Sequence, residues 1–579
     1  LTNREIADLL EQVGTALELI SDNPFKARAY YSAARTIAAC QDSVYDLAEQ
    51  GKATTIKGVG ASVGEAINDI VKNGSPTILE ELLGEIPPDV WRMLSLPGLG
   101  PKRVRSIWRS LNITTLDELE QACRDNRLLS LEGFGEKTQA RILSGIDLLR
   151  RSEDRLLLSA AHQIADEFIA LLAKRCELAG LSLDRVEVTG PLRRKCETVE
   201  VIDILIGSVN TEDSDRIAQV ISGLTSDVED VADAADLAFC TSMTGRSVAV
   251  AYRGARVAVH IRPASMFACS LFLLTGSSSH VSECIALFPG LLECDSALNS
   301  EATIYRSARM QFIPPEMREG AGEVAAAKAG KLPTLVEEGD IKGILHVHTN
   351  YSDGTHSIED LVRYCIEQGY EYIGIADHSR SAFYAGGLSP SDLIRQNREI
   401  KEIQSKYPEI RILHGIESDI RADGSLDYDD GLLAMLDFVI GSIHSRFAMP
   451  KDQMTARVIA AVRNPYLSIL GHPTGRLLLS RDPYEIDLDA VLEAVAEEGK
   501  SVELNADPHR LDLDYKGCLT ARRMGIPVAI NPDAHGPSGI NNIRFGVSIA
   551  RKGWLTKSDV LNCLTADEIV TAFRRMRKS

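Results

Sequence analysis

Over the first 150 residues apolar side chains recur three and four positions apart, glycines punctuate the loops, and no strand alternation is evident. That pattern predicts an almost wholly helical region. From about 155 to 315 helical stretches are interleaved with β-rich runs such as Val186-Glu187-Val188-Thr189 and Ile202-Asp203-Ile204-Leu205-Ile206, an α+β pattern. Beyond 340, short apolar runs at 343–348, 372–378, 411–417, 438–444, 467–472, 501–505 and 527–535 are mostly separated by helical patterns. Strand and helix in alternation predict a parallel α/β barrel of about seven strands, with strand C-termini converging on one mouth. The stretch from Ile313 to about Leu332 is too polar, and too poor in periodic apolar residues, for a core element and reads as a linker. The expected organisation is a helical domain at 1–85, a second at 86–154, an α+β domain at 155–315, a linker at 316–338 and the barrel at 339–579.

Composition agrees with several ordinary domains: 579 residues exceed what one core usually supports, and 44% hydrophobic with 25% charged is a globular balance. No apolar run approaches the eighteen or so residues of a membrane span, and the start lacks a signal-peptide layout. Eleven cysteines without a CxxC pair argue against a zinc ribbon and a disulfide framework, so a reducing cytoplasm is expected. The formal charge of −19 disfavours a polyanionic partner as a first reading. Charge sums over domains, however, and backbone N–H groups at helix N-termini hold phosphates without basic side chains.

Three loops carry one shape: Ile56-Lys57-Gly58-Val59-Gly60, Leu96-Pro97-Gly98-Leu99-Gly100-Pro101-Lys102-Arg103 and Leu131-Glu132-Gly133-Phe134-Gly135-Glu136-Lys137. Their glycines permit a tight turn and close approach of a phosphate to the next helix's free N–H groups. A single such loop is often only a helix C-cap and turn. Three in one small helical region resemble helix-hairpin-helix motifs, which implies DNA binding through the backbone, blind to sequence, with Lys102, Arg103 and Lys137 beside the phosphates.

The segment Asn23-Pro24-Phe25-Lys26-Ala27-Arg28-Ala29-Tyr30 resembles the amino-terminal domain of bacterial family X DNA polymerases. In relatives of that family a lysine of the first hairpin is a lyase nucleophile; Ala66 stands at the aligned place, so lyase chemistry does not carry over. The stretch from Gly190 to Asp203 is similar to the family's nucleotidyltransferase signature, Gly-Ser, Arg-Arg and Gly-Asp-x-Asp. Arg193, Arg194, Glu197, Thr198 and Asp203 fall in register, and Thr275-Gly276-Ser277 also matches. The serine is replaced by Pro191, the first aspartate by Val201 and the third carboxylate by His260. A two-metal clamp needs those carboxylates, so the palm is expected to have lost polymerisation or to retain it weakly.

In His346-Val347-His348 two imidazoles share one strand face and can grip one metal. The runs that follow bring further histidines and carboxylates, a donor mixture suited to Zn, Mn or Fe. This region resembles a polymerase and histidinol phosphatase (PHP) domain. The resemblance implies up to three divalent ions on His346, His348, Asp353, His378, Glu417, His444, His472, Asp533 and His535. By it, Glu417 bridges two ions, one also on His346, His348 and Asp533 and the other on His444 and His472; Asp353, His378 and His535 hold the third. Glu417, Asp533 and Arg476 are expected to carry catalysis, with Arg476 and Arg510 as phosphate forks. His162, His280, His356, His414 and His509 read as structural or surface residues.

The whole reads as a multidomain DNA-repair enzyme acting mainly as a metal-dependent 3′-5′ exonuclease or 3′-end-processing phosphoesterase, cytoplasmic, nucleoid-associated and monomeric. Its partner is gapped, nicked or 3′-ended DNA, without membrane association; Mg²⁺ is required only if the polymerase site works. The alternatives are an active gap-filling polymerase with an associated nuclease, a non-catalytic DNA-end-binding palm, and a histidinol-phosphatase-like small-molecule phosphatase.

Overall fold

The helical periodicity of the first region becomes a bundle around its own core. Ile6, Leu10, Val13 and Leu17 line one face of the helix Asn3–Ile20 and are buried. A capping box between Thr2 and Glu5 fixes where that helix starts. The three glycine loops repeat one backbone. Gly58, Gly98 and Gly133 have φ of 85°, 84° and 81°, the left-handed region. Two residues later Gly60, Gly100 and Gly135 are the extended N-caps of the helices Ala61–Asn73, Pro101–Leu111 and Glu136–Ser152, without a side-chain cap. Ala66 is buried on the inner face of the first of these. The structure, a computed structural model, describes residues 1–577 except 22–23, 39, 41–42, 184, 209–210, 225–227, 231–244, 289–290 and 292–297. Asn23, Cys240 and Cys294 thus lie outside the described residues. The chain divides into two compact units, Leu1–Glu153 and Asp154–Ser579.

The second unit begins with a five-stranded mixed sheet. Its strands are β1 (Arg185–Val188), β2 (Val201–Ser208), β3 (Val228–Asp230), β4 (Arg246–Tyr252) and β5 (Ala255–Pro263), in spatial order β1-β2-β5-β4-β3. β2 and β5 run parallel and the remaining pairs antiparallel. Alternation along β2 feeds two cores. Ile202, Ile204 and Ile206 join Phe168 and Leu172 of the helix Leu158–Leu178, whereas Leu205 joins Phe267 and Phe272.

The segment expected as a linker is a built part of this unit. Arg318 and Glu323 are fully buried. Arg318 donates to Glu301 and to the Ile313 carbonyl, while Glu323 accepts from the His280 ring at 2.7 Å and from the N–H groups of Gly320 and Ala321. Composition suggested a polar connection because these side chains are charged; their partners, distant in sequence, make burial tolerable.

The barrel is built from β6 (Gly343–Val347), β7 (Tyr372–Ile375), β8 (Arg411–His414), β9 (Glu417–Asp419), β10 (Ile440–Ser442), β11 (Ile469–Leu470), β12 (Ser501–Asn505) and β13 (Val528–Asn531). All pairs are parallel, in two sheets ordered β8-β7-β6 and β9-β10-β11-β12-β13. Isolated bridges link the two sheets: Val347–Ala534 between β6 and the chain after β13, and His378–Glu417 between the chain after β7 and β9. The single run at 411–417 supplies both β8 and β9, so seven sequence runs give eight strands. No helix among the described residues is long and apolar enough to cross a membrane.

Candidate metal centre

Most strands of the barrel deliver a polar side chain to one mouth. His346 and His348 come from the end of β6, His378 follows β7, Glu417 opens β9, His444 follows β10, His472 follows β11, and Asp533 and His535 follow β13. Asp353 sits in the turn after His348; that turn closes on Gly354, where a Cβ would lie 2.4 Å from the His348 carbonyl oxygen. His346, His472 and Asp533 have φ of 56°, 21° and 51°. Non-glycine residues hold such conformations at a cost of roughly 1–3 kcal/mol each, and the surrounding fold must impose them.

All the residues expected as ligands are brought together. The carboxylate of Glu417 is central: its oxygens lie 2.9 Å from His472 Nε2, 2.8 Å from His378 Nδ1, 3.2 Å from His444 Nε2 and 3.4 Å from His346 Nε2. Asp533 Oδ1 is 3.0 Å from His348 Nε2 and 3.5 Å from His346 Nε2. Asp353 lies 3.5 Å from His378 and 3.4 Å from His535, at the more exposed side. Among the described residues, the groups of three or more metal-capable side chains with clustered donor atoms all fall here: His348, Asp353, His378 and His535; His346, His348 and Asp533; His378, Glu417 and His444.

Donor chemistry and satisfaction both fit cations. His346 Nε2, His348 Nδ1, His378 Nδ1, His472 Nδ1 and Glu417 Oε2 are buried without a hydrogen-bond partner. Each such atom costs about 1–3 kcal/mol. His378 Nδ1 and Glu417 Oε2 approach to 2.8 Å without forming a hydrogen bond. His346 Nε2 also faces this carboxylate, at 3.4 Å, and nitrogen donors gathered on one carboxylate are what a cation satisfies. Burial opposes charge on His378 and His444, but Glu417, helped by Asp353 and Asp419 respectively, raises them to about 10 and about 9. Glu417 stays well below the usual carboxylate range despite burial, because His444, His378 and His346 surround it.

Outer partners set the rings, and the sequence reading missed them. Glu503, fully buried on β12, accepts from His346 Nδ1 at 2.6 Å, from the His472 N–H at 2.7 Å and from Asn531 at 2.8 Å. A proton on Nδ1 leaves the His346 Nε2 lone pair facing the centre. Asp419 does the same for His444, at 2.6 Å, and Asn505 donates to Asp533 at 3.0 Å. The available signal was Glu503 and Asn505 sharing one strand face two residues apart.

Two expected roles need correction. Arg476 donates from Nε to the Arg510 carbonyl at 2.9 Å and from Nη2 to the Leu511 carbonyl and to Glu197 at 3.0 Å. Its guanidinium therefore braces the 510–511 backbone against the α+β domain and is not a free phosphate fork. Arg510 is placed better, with Nε 3.7 Å from Asp533. In the first unit Arg103 donates to the carbonyls of Gly98 and Gly133 at 2.7 and 3.2 Å, stapling two glycine loops together. Lys102 and Lys137 are exposed, and Lys102 lines an open cleft of about 650 Å³ with Gly98 and Gly100.

The α+β domain has a different centre. Asp203 accepts from His260 Nε2 at 3.1 Å, and His260, fully buried, meets Ser247 Oγ at 3.0 Å through Nδ1. A Cβ on Gly190, which precedes Pro191, would lie 2.5 Å from Asp203 Oδ2. Val201 lies opposite Arg256 in the β2–β5 register and offers no ligand atom. Arg193 makes a two-pronged pair with Glu301 at 3.0 and 2.6 Å; Arg194 donates to Glu319 at 2.9 Å and to the Thr275 carbonyl at 2.8 Å. Of the histidines read as structural, His414 bonds Asn397 and Gln396, and burial lowers its pKa to about 4.

Residues 345–507 match the PHP domain family, 1–76 the helix-hairpin-helix domain and 92–147 the SAM-like helix-hairpin-helix tandem. The chain is 32% identical over 598 residues to the DNA polymerase/3′-5′ exonuclease PolX of Bacillus subtilis (strain 168), covering 99% of each. It is 29% identical over 234 residues to a protein named Probable phosphatase from Thermoanaerobacter sp. (strain X514), covering 38% of this chain and 88% of that one. Among solved structures, histidinol phosphate phosphatase from Lactococcus lactis subsp. lactis Il1403, in complex with zinc, L-histidinol and phosphate, aligns with a TM-score of 0.30 at 20% identity. That alignment covers 37% of this chain and 95% of that one.

Proposed function

The chain belongs to the family X DNA polymerases that carry a PHP domain, and from that premise we propose that it is a DNA 3′-end-processing phosphoesterase whose working centre is the barrel. Templated synthesis in its palm is lost or weak. The carrying observation is the contrast between the centres. In the barrel, His346 Nε2 and His378 Nδ1 are buried without hydrogen-bond partners and face Glu417, and metal-capable side chains cluster around them. In the palm, the surviving Asp203 is bonded to His260, with Val201 at the first carboxylate position.

In this reading Glu417, His346, His348, Asp533, His444 and His472, with Asp353, His378 and His535 at the more exposed side, would hold up to three divalent ions. Zn, Mn or Fe suits these donors. When bound, the ions neutralise phosphate oxygens and lower the pKa of an attacking water. Glu503 and Asp419 hold the rings of His346 and His444 in register. Arg510 is within reach of a nonbridging phosphate oxygen. Water oxygen bonds to phosphorus and the bond from phosphorus to the preceding 3′ oxygen breaks. The terminal nucleotide leaves as a 5′-monophosphate and the new 3′ hydroxyl takes up a proton. The glycine loops of the first unit hold the sugar–phosphate backbone without reading bases.

A chelator-sensitive nuclease assay on 3′-labelled DNA, repeated with His346→Ala and Glu417→Ala, tests the assignment. Loss of cleavage in both variants supports it; unchanged degradation refutes it. A working polymerase is the second reading, favoured by full-length similarity to a polymerase/exonuclease. Nucleotide incorporation on a gapped duplex distinguishes the two.

A further inference from the structure

The rim of the barrel mouth carries an exposed tyrosine, Tyr384, that the hydrolytic chemistry leaves unused, with Phe383 next to it in the chain. Phe383 and Tyr384 lie in the short turn Phe383–Ala385 after β7 and are 88% and 73% exposed. Among the described residues, no large hydrophobic side chain is more exposed than Phe383. The turn itself is tethered. Ser381 donates to Asp427 through N–H at 2.7 Å and through its hydroxyl at 2.6 Å. The Leu388 N–H donates to the His378 carbonyl at 2.9 Å, and the Tyr428 hydroxyl to the Leu388 carbonyl at 2.6 Å. A Cβ on Gly387 would lie 1.9 Å from the Ser379 carbonyl oxygen, so the loop closes tightly on itself.

This rigid loop holds the Tyr384 ring 6.2 Å from the His378 imidazole, centroid to centroid. His378 Nδ1 in turn lies 2.8 Å from Glu417. A flat apolar surface therefore stands beside the point where the phosphodiester must sit, with Arg510 next to Asp533. An aromatic side chain normally conceals about 150–250 Å² in a core or an interface. Tyr384, 73% exposed at the edge of a polar centre, recovers that burial against a ligand with a flat face.

We propose that Tyr384, with Phe383 beside it, is the platform on which the unpaired 3′-terminal nucleobase stacks while its phosphodiester reaches the centre. This rests on the reading of the barrel as a DNA 3′-end hydrolase, and it names what selects the substrate. Every base has a π-face, so such a platform is indifferent to sequence. A base within a duplex already has both faces stacked and must leave the helix to use the platform. A 3′ terminus that bears a base is therefore preferred over an abasic one, and over small phosphomonoesters that lack a base.

The experiment compares the full chain with Tyr384→Ala, Phe383→Ala and Tyr384→Phe on two oligonucleotides, one ending in thymidine and one in an abasic 3′ nucleotide. In parallel, an oligonucleotide with a 3′-terminal 5-iodouracil is photo-cross-linked and the adduct mapped. The parent chain favours the base-bearing end through KM, and that preference shrinks about 5- to 150-fold in Tyr384→Ala. Tyr384→Phe restores most of the preference, and the cross-link maps to Phe383 or Tyr384. Full preference in Tyr384→Ala, or a cross-link elsewhere on the barrel, overturns the platform and leaves the hydrolase reading standing. Failure of the parent chain to cut either oligonucleotide overturns the hydrolase reading and the platform with it.

Discussion

Replacing Glu301 with glutamine probes whether Arg193, a residue of the nucleotidyltransferase signature, now serves structure. The Glu301 carboxylate is 8% exposed and accepts from Arg193 Nη1 and Nη2 at 3.0 and 2.6 Å, and from Arg318 Nη1. Arg318 is fully buried, its guanidinium carbon 5.4–5.5 Å from the ring centroids of Phe272, Tyr305 and Phe312. Burial raises the Glu301 pKa, but Arg193 and Arg318 more than reverse it and hold the group below its ordinary value. Glutamine keeps the shape and removes the charge, leaving the buried Arg318 and the half-buried Arg193 uncompensated at a cost of about 3–5 kcal/mol. Unfolding entropy of about 2.1 cal/mol/K per residue makes that a fall of about 3–6 °C in Tm for a unit spanning Asp154–Ser579. Because the folded pKa is depressed, the stabilisation is fully present above the unfolded value of 4.5 and is lost as pH falls through the lower folded value. Calorimetry of the full chain at neutral pH, and again from about pH 5 to about pH 3, should therefore show a gap between parent and variant that closes in acid. A Tm within about 1 °C of the parent at neutral pH would refute the reasoning, because it would mean that the pairs contribute nothing net.

Glu503→Gln removes the acceptor that orients His346 and should weaken metal binding about 10- to 100-fold, read by titration calorimetry; unchanged affinity would dismiss the orienting role. Prolonged treatment with a chelator should abolish phosphodiester hydrolysis, with recovery on adding Zn²⁺ or Mn²⁺; hydrolysis that survives in the stripped protein contradicts a metal centre. Gly98→Ala forces a side chain into φ of 84°, costing about 1–2 kcal/mol and displacing the loop, so filter binding should show weaker, still sequence-independent DNA affinity. Equal affinity would remove that loop from the interface.

Strand ends of the barrel were readable because periodicity located each apolar run and the metal-capable residue stood at its end or just beyond. His346 and His348 needed only the two-residue repeat of a strand. Arg476 was misjudged because its partners, Glu197 and the 510–511 carbonyls, are remote in sequence, and an arginine in a loop carries no mark of what it will brace. Glu503 was passed over for a related reason: a carboxylate beside the centre and one within it look alike until the rings are placed. At 316–338, buried Arg318 and Glu323 resembled solvated polar residues, since pairing with Glu301 and His280 is invisible to composition. The division of the 411–417 run between β8 and β9 likewise has no local signature; the run stays paired to the continuation of β7 through the His378–Glu417 bridge, while β10 pairs on its other side from Glu417 onward.

Whether the barrel or the palm performs this chain's chemistry is read by following one labelled primer on a gapped duplex, with all four nucleotides and Mn²⁺ present, in the parent chain and in Glu417→Ala. With the barrel as the working centre, the parent shortens the primer and does not lengthen it, and Glu417→Ala leaves it at its starting length. Robust templated lengthening by either protein, or shortening that persists in Glu417→Ala, would overturn that assignment.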